Sequence, residues 1–223
     1  WRPRGFEGDE AFFLPEKRPW GREVHGGLPI CWPWFGKAGT PKHGLVRYLR
    51  WEYLHHVGKD RVVLRTRSTE ATRKLWPHDF ELTAEIALTG PNELQLALTE
   101  RNTGTDAFES ECGIHPYFRV ADAERIGFGG EALPKPWGIR EWKATSPKCA
   151  LVDLVKGRRL EVACSDAARF LIWNPGVERT PLCEGLEADD WKRFYCLEAV
   201  SPRRSLAPGG SRTVRFTLSL VNH

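Results

Sequence analysis

Apolar and polar positions alternate with period two wherever this chain shows regularity. Phe80, Leu82, Ala84, Ile86 and Leu88 fall on one face of an extended segment, with Glu81, Thr83 and Glu85 on the other. That is the pattern of a strand with one buried face. Thr89-Gly90-Pro91-Asn92 then supplies turn chemistry, and Leu94, Leu96 and Leu98 resume the alternation, so the two runs read as an antiparallel hairpin. Leu160-Glu161-Val162-Ala163-Cys164 repeats the pattern, as does Val214 to Leu220 after the Pro208-Gly209-Gly210 turn. No long segment keeps a helical period; only Glu187 to Arg193, acidic early and basic late, predicts a short helix or turn. No repeat, low-complexity tract or linker interrupts the chain. The pattern predicts an all-β fold, a large antiparallel β-sandwich, with residues 1–223 forming one domain.

Composition sets limits on function. The 33 Lys and Arg exceed the 29 Asp and Glu by only +4, and the basic residues are scattered. A nucleic-acid backbone has no basic block to follow, although an anionic small molecule would be attracted. No apolar run approaches the roughly 20 residues of a membrane helix, and no signal-peptide pattern opens the chain. The expectation is a cytoplasmic protein, monomeric, without membrane or nucleic-acid partners. The six cysteines form no CxxC pair, so they are expected as reduced thiols and no zinc site is expected. Adjacent His55 and His56 would point to opposite faces of a strand and are read as a solvated edge, not as metal ligands. Asp153 and Asp166 are read as turn residues.

Four stretches break the alternation. The first runs Val24-His25-Gly26-Gly27-Leu28-Pro29-Ile30-Cys31-Trp32-Pro33-Trp34-Phe35-Gly36, where glycines permit close backbone approach and prolines stiffen the path. The others are Lys42-His43-Gly44-Leu45-Val46-Arg47, Cys112-Gly113-Ile114-His115-Pro116-Tyr117-Phe118 and Phe194-Tyr195-Cys196-Leu197-Glu198-Ala199. Together with Trp76-Pro77-His78-Asp79-Phe80, Trp173-Asn174-Pro175-Gly176 and Leu206-Ala207-Pro208-Gly209, they resemble in order the galactose mutarotase-like superfamily. Within it, the hexose-6-phosphate 1-epimerase branch is the most similar, over about Phe12 to Leu220.

The resemblance implies a large antiparallel sandwich, in agreement with the alternation. It also implies interconversion of the α and β anomers of an aldohexose, probing a sugar or sugar phosphate as partner. A base removes the proton of the C1 hydroxyl while an acid protonates the ring oxygen; only protons move, so no cofactor and no metal are expected. By resemblance Glu198 is the base and His115 the acid. A carboxylate beside a histidine tends to raise the imidazole pKa and keep itself ionised, which would set the pair in complementary states. Taken alone, His115 before a proline reads as an ordinary structural histidine. A carboxylate within an apolar strand, as at Glu198, is costly without a partner or a function. His43 and Arg47 match the family's substrate-contacting histidine and arginine, although Arg47 by itself reads as a surface residue.

This chain also departs from the branch. His25 stands where an arginine usually precedes the Gly-Gly pair, and Lys42 stands where a glutamine usually precedes His-Gly. An anionic site with altered geometry is the expectation, because a lysine binds phosphate as a point charge. A family aspartate before the Trp-Asn-Pro-Gly motif has no counterpart in Ile139-Arg140-Glu141-Trp142, where Glu141 is the candidate substitute. The substrate-binding set is thus His25, Lys42, His43, Arg47 and Glu141. Trp32 and Trp34 are candidates either for a sugar-stacking wall or for the core. The competing reading is a carbohydrate-binding protein of the same fold without turnover; retention of both His115 and Glu198 favours the enzyme.

Overall fold

The computed structural model describes residues 1–4, 10–17, 25–128, 131–133 and 138–222. Val24 of the first motif, and residues 129–130 and 134–137 of the Trp-rich stretch 125–148, lie outside them.

The described strands form two main sheets and a small pair, Phe108–Ser110 with Arg204–Leu206, and the alternating segments all lie in the larger main sheet. The larger has nine strands, in the order Glu131–Ala132, Ile126–Phe128, Lys148–Asp153, Arg158–Cys164, Ser211–Asn222, Glu93–Asn102, Phe80–Gly90, Arg61–Arg67 and Glu52–Val57. Its neighbouring strands are all antiparallel. The predicted hairpin forms as read, with Ile86 opposite Leu96 and Ala84 opposite Leu98. Register then carries the apolar rows across the sheet: Leu96 faces Phe216, which faces Cys164. The expected solvated edge is the outermost strand, on which His55 and His56 are both exposed.

The smaller sheet runs Ile30–Cys31, Gly113–Ile114, Phe194–Val200, Arg169–Asn174 and Gly138–Lys143, with Tyr117–Arg119 also paired to Phe194–Val200. Its two central strands are nearly apolar throughout, as strands covered on both faces are. Phe170, Ile172, Tyr195, Leu197 and Ala199 point inward to the main core against Leu96, Leu98, Val162 and Phe216 of the large sheet. The alternate residues point outward: Arg169, Leu171 and Trp173 on one strand, Cys196, Glu198 and Val200 on the next. That outer face is covered by the segments carrying Phe13 and Phe35, which form two further apolar clusters with it.

Among the described residues helices are short, the longest being Glu70–Leu75 with a capping box at Thr69. The predicted helix or turn at Glu187–Arg193 ends in a 3₁₀ turn over Asp190–Arg193, tied by the Glu187 N–H donating to Asp190 Oδ2 (2.9 Å). Asp153 is a turn residue, its Oδ1 accepting from the N–H groups of Val155 and Lys156. Four cysteines are buried and two half-buried, and all six are free thiols.

Candidate active site

Register brings the two central motifs together. Ile114 lies opposite Ala199 and Tyr117 opposite Cys196, and the same register carried through Pro116 sets His115 across from Glu198. Pro116 has no N–H to give to the ladder, so the pairing lapses there and the side chains are left facing a cavity. His115 Nε2 is 3.4 Å from Glu198 Oε1. Both residues are buried, and among the described residues neither Glu198 oxygen nor His115 Nδ1 has a hydrogen-bond partner. Buried polar atoms are rarely left so; these three are available to a molecule entering from outside.

Above them opens a cavity of about 430 Å³, a usual size for a small-molecule site. Its lining includes His25, Lys42, His43 and Glu141, so four of the five expected contact residues meet the proposed acid–base pair. Arg47 does not line it. It is half-buried on a short 3₁₀ turn against the Tyr48 ring, and its charge reaches His43 and His115.

The glycines fix this geometry. At Gly44 φ is +81°, and a Cβ would lie 2.1 Å from the Trp32 carbonyl oxygen, so no other residue fits beneath His43. His43 itself has φ 65°, uncommon for a residue with a side chain. Its Nδ1 accepts from the Gly36 N–H (3.3 Å), which leaves the Nε2–H as a donor. Burial first, then Lys42 and Arg47, push its pKa down to about 3, so it is a neutral donor. His25 is turned the other way: its Nδ1–H donates to the Glu184 carbonyl (3.1 Å).

Burial dominates the central pair, contrary to the sequence expectation. It pushes Glu198 up to about 8, with Lys42 opposing and Glu141 reinforcing the rise. It also holds His115 well below the usual histidine value, helped by His43, Arg47 and Lys42. An ion pair here gains too little attraction at 3.4 Å to repay the desolvation of two charges. The resting pair therefore holds one proton on the carboxyl, with the imidazole neutral.

Trp32 and Trp34 are not the wall of the cavity. Trp32 is a core residue, its Nε1–H donating to Glu100 Oε2 (2.6 Å) and its ring against Phe80. Trp34 is buried and donates to the Pro41 carbonyl (2.8 Å). The aromatic lining is Phe35, Tyr117 and Trp173 instead, with Tyr117 stacked on the His115 ring at 4.9 Å. Arg169, Arg179 and Lys37 also line the cavity and were not singled out from sequence. Arg169 had a signal, a lone charge opening an otherwise apolar strand. It is clamped by both oxygens of Glu111 (3.1 and 3.2 Å), and its Nε pairs with Glu141 (3.2 Å). Lys37 sits in an exposed turn and Arg179 at the exposed end of the short helix Gly176–Arg179, without any such contrast.

A carboxyl and an imidazole that face each other on the floor of a cavity can exchange protons with a molecule that enters. The family model described as aldose 1-epimerase matches residues 8–134. A Salmonella typhimurium protein named "Putative glucose-6-phosphate 1-epimerase" is 31% identical over 228 residues, covering 90% of this chain and 75% of that protein. A Salmonella typhimurium crystal structure described as a "putative mutarotase" superposes with a TM-score of 0.86 at 25% identity, covering all of this chain and 83% of the other. The Slr1438 protein of Synechocystis sp. PCC 6803 shares the fold at a TM-score of 0.79 and 20% identity, over 97% of this chain and 86% of its own. The chain belongs to the aldose 1-epimerase family. It is an isomerase that interconverts sugar anomers, and its ligand is a sugar.

Proposed function

We propose that the substrate is an aldohexose 6-phosphate and that residues 1–223 work on it as one domain, with Glu198 as base and His115 as acid. The observation that carries this is the unpartnered pair 3.4 Å apart on the floor of the cavity. One proton on the pair is what the reaction needs. As sugar hydroxyls replace the missing hydrogen bonds, Glu198 ionises, aided by the Lys42 charge, and His115 takes the proton. The carboxylate then removes the C1-hydroxyl proton while the imidazolium protonates the ring oxygen, and the C1–O bond to the ring opens. Rotation about C1–C2, attack of the freed hydroxyl on the carbonyl and the reverse proton movements give the other anomer.

His43 donates to the sugar, His25 accepts from it, and Glu141, steadied by Arg169, accepts from hydroxyls on the far side. Lys42, Lys37 and Arg179 line the cavity as exposed side chains, and they supply positive charge for a 6-phosphate. The name of the Salmonella relative points to the same substrate. Anomer exchange measured by NMR on glucose 6-phosphate, glucose and galactose at equal enzyme concentration tests the choice. The phosphorylated sugar is expected to be exchanged fastest. Equal or faster exchange of the neutral sugars would make the rim cations irrelevant and move the protein to neutral aldoses.

A further inference from the structure

We propose that the floor of the sugar site is also a binding site for a thiophilic divalent cation such as zinc or cadmium, which excludes the sugar and silences the enzyme. Silencing of the enzyme rests on the epimerase reading above; the binding itself does not. Among the described residues, one trio of potential ligands converges: His115, Cys196 and Glu198, with one ligand atom from each lying within 4.8 Å of the others. Cys196 and Glu198 are two residues apart on the central strand and so share its outer face, and His115 stands across from Glu198.

A tetrahedral zinc ion with bonds of about 2.0–2.3 Å holds its ligand atoms roughly 3.2–3.8 Å apart. The 3.4 Å between His115 Nε2 and Glu198 Oε1 already matches that spacing. The second observation is the want of partners: both Glu198 oxygens are buried and unsatisfied, on a residue only 1% exposed. A hard cation would need more oxygens than this trio offers, whereas a thiol, an imidazole and a carboxylate suit zinc or cadmium. As the metal binds, the Cys196 thiol and the Glu198 carboxyl each give their proton to solvent. A divalent ion then meets one thiolate, one carboxylate and one neutral imidazole, so the buried cluster carries no net charge. Two of the three ligands, His115 and Glu198, line the cavity. With the metal in place neither Glu198 nor His115 can exchange a proton with a sugar.

The test is a cadmium titration of the full chain, followed by the thiolate-to-cadmium charge-transfer absorbance. One equivalent is expected to raise the band in the native protein and equally in a Cys149→Ser/Cys183→Ser variant, which lacks the two half-buried thiols. Cys196→Ala is expected to abolish the band. Glu198→Gln keeps the thiol and the side-chain shape, and is expected to weaken cadmium binding at least about tenfold. In the exchange assay, zinc is expected to slow the native enzyme, with recovery on adding chelator, and to leave Cys196→Ala at its metal-free rate. A band that survives in Cys196→Ala, a band lost with Cys149 and Cys183, or faster exchange with zinc would each overturn the proposal. Should Cys196→Ala fail to fold, unchanged cadmium affinity in Glu198→Gln would overturn it alone. Because the band needs no turnover, an inactive native chain would count against the epimerase mechanism and leave the metal site standing.

Discussion

At the residue scale the site depends on burial setting the proton count of two side chains. Glu198→Gln keeps the shape and removes the proposed base, so anomer exchange is expected to fall by a factor of about 10²–10⁴. The same substitution has a stability signature. The folded pKa of Glu198, about 8, lies above its ordinary value of 4.5. Between these values the folded state binds more protons than the unfolded one, so stability declines as pH rises through that window. Chemical denaturation at pH 5 and pH 8 is expected to show Glu198→Gln gaining on the native protein at the higher pH; a constant difference would contradict the burial argument. Exchange itself is expected to fall off above about pH 8, where the pair loses the proton that serves as the acid. A rate still rising at pH 9 would mean that some other group is the acid.

At the element scale, the site is where strand pairing stops. Pro116 interrupts the ladder, Gly44 lets the chain cross under Trp32, and Gly113 makes room for Phe35, whose ring would lie 2.5 Å from a Cβ there. Gly44→Ala is expected to lower unfolding stability by about 1–2 kcal/mol through the left-handed backbone, with the clash on the Trp32 carbonyl adding to it. It is also expected to raise KM more than it changes kcat, since it displaces His43 and not the acid–base pair. Normal thermal stability and KM in this variant would remove the reason given for the glycine. These elements also show what the sequence revealed. Phe80–Leu98 could be read as a hairpin because one face is buried and the other wet. His115 and Glu198 were legible only through the family motifs, since their meeting depends on strands far apart in the chain. The direction of their pKa shifts was not legible, because burial is a property of the packed sheet. Trp32 and Trp173 look alike in sequence. Strand parity sends Trp173 to the outer face, while Trp32 packs into the core against Phe80.

At the scale of the whole molecule, the two sheets divide the work. The large one gives a platform whose apolar rows bury one side of the small sheet, and the small sheet presents its other side as the floor of the cavity. Leu98→Ala, in that shared core, is expected to cost about 2–5 kcal/mol of stability while leaving the KM of the folded enzyme unchanged. An altered KM would mean the platform shapes the site directly. The molecule's modest positive charge gathers usefully at the rim through Lys37, Lys42 and Arg179. Raising ionic strength is therefore expected to raise KM for a hexose 6-phosphate and to spare a neutral hexose; equal responses would remove the rim from substrate recognition. The measurement that bears most directly on the account is anomer exchange of glucose 6-phosphate by NMR, comparing the native protein with Glu198→Gln and His115→Asn. The native protein is expected to accelerate exchange, and both variants to fall close to the spontaneous rate while keeping their fold. Native-like exchange in either variant would contradict the assignment of the pair as base and acid.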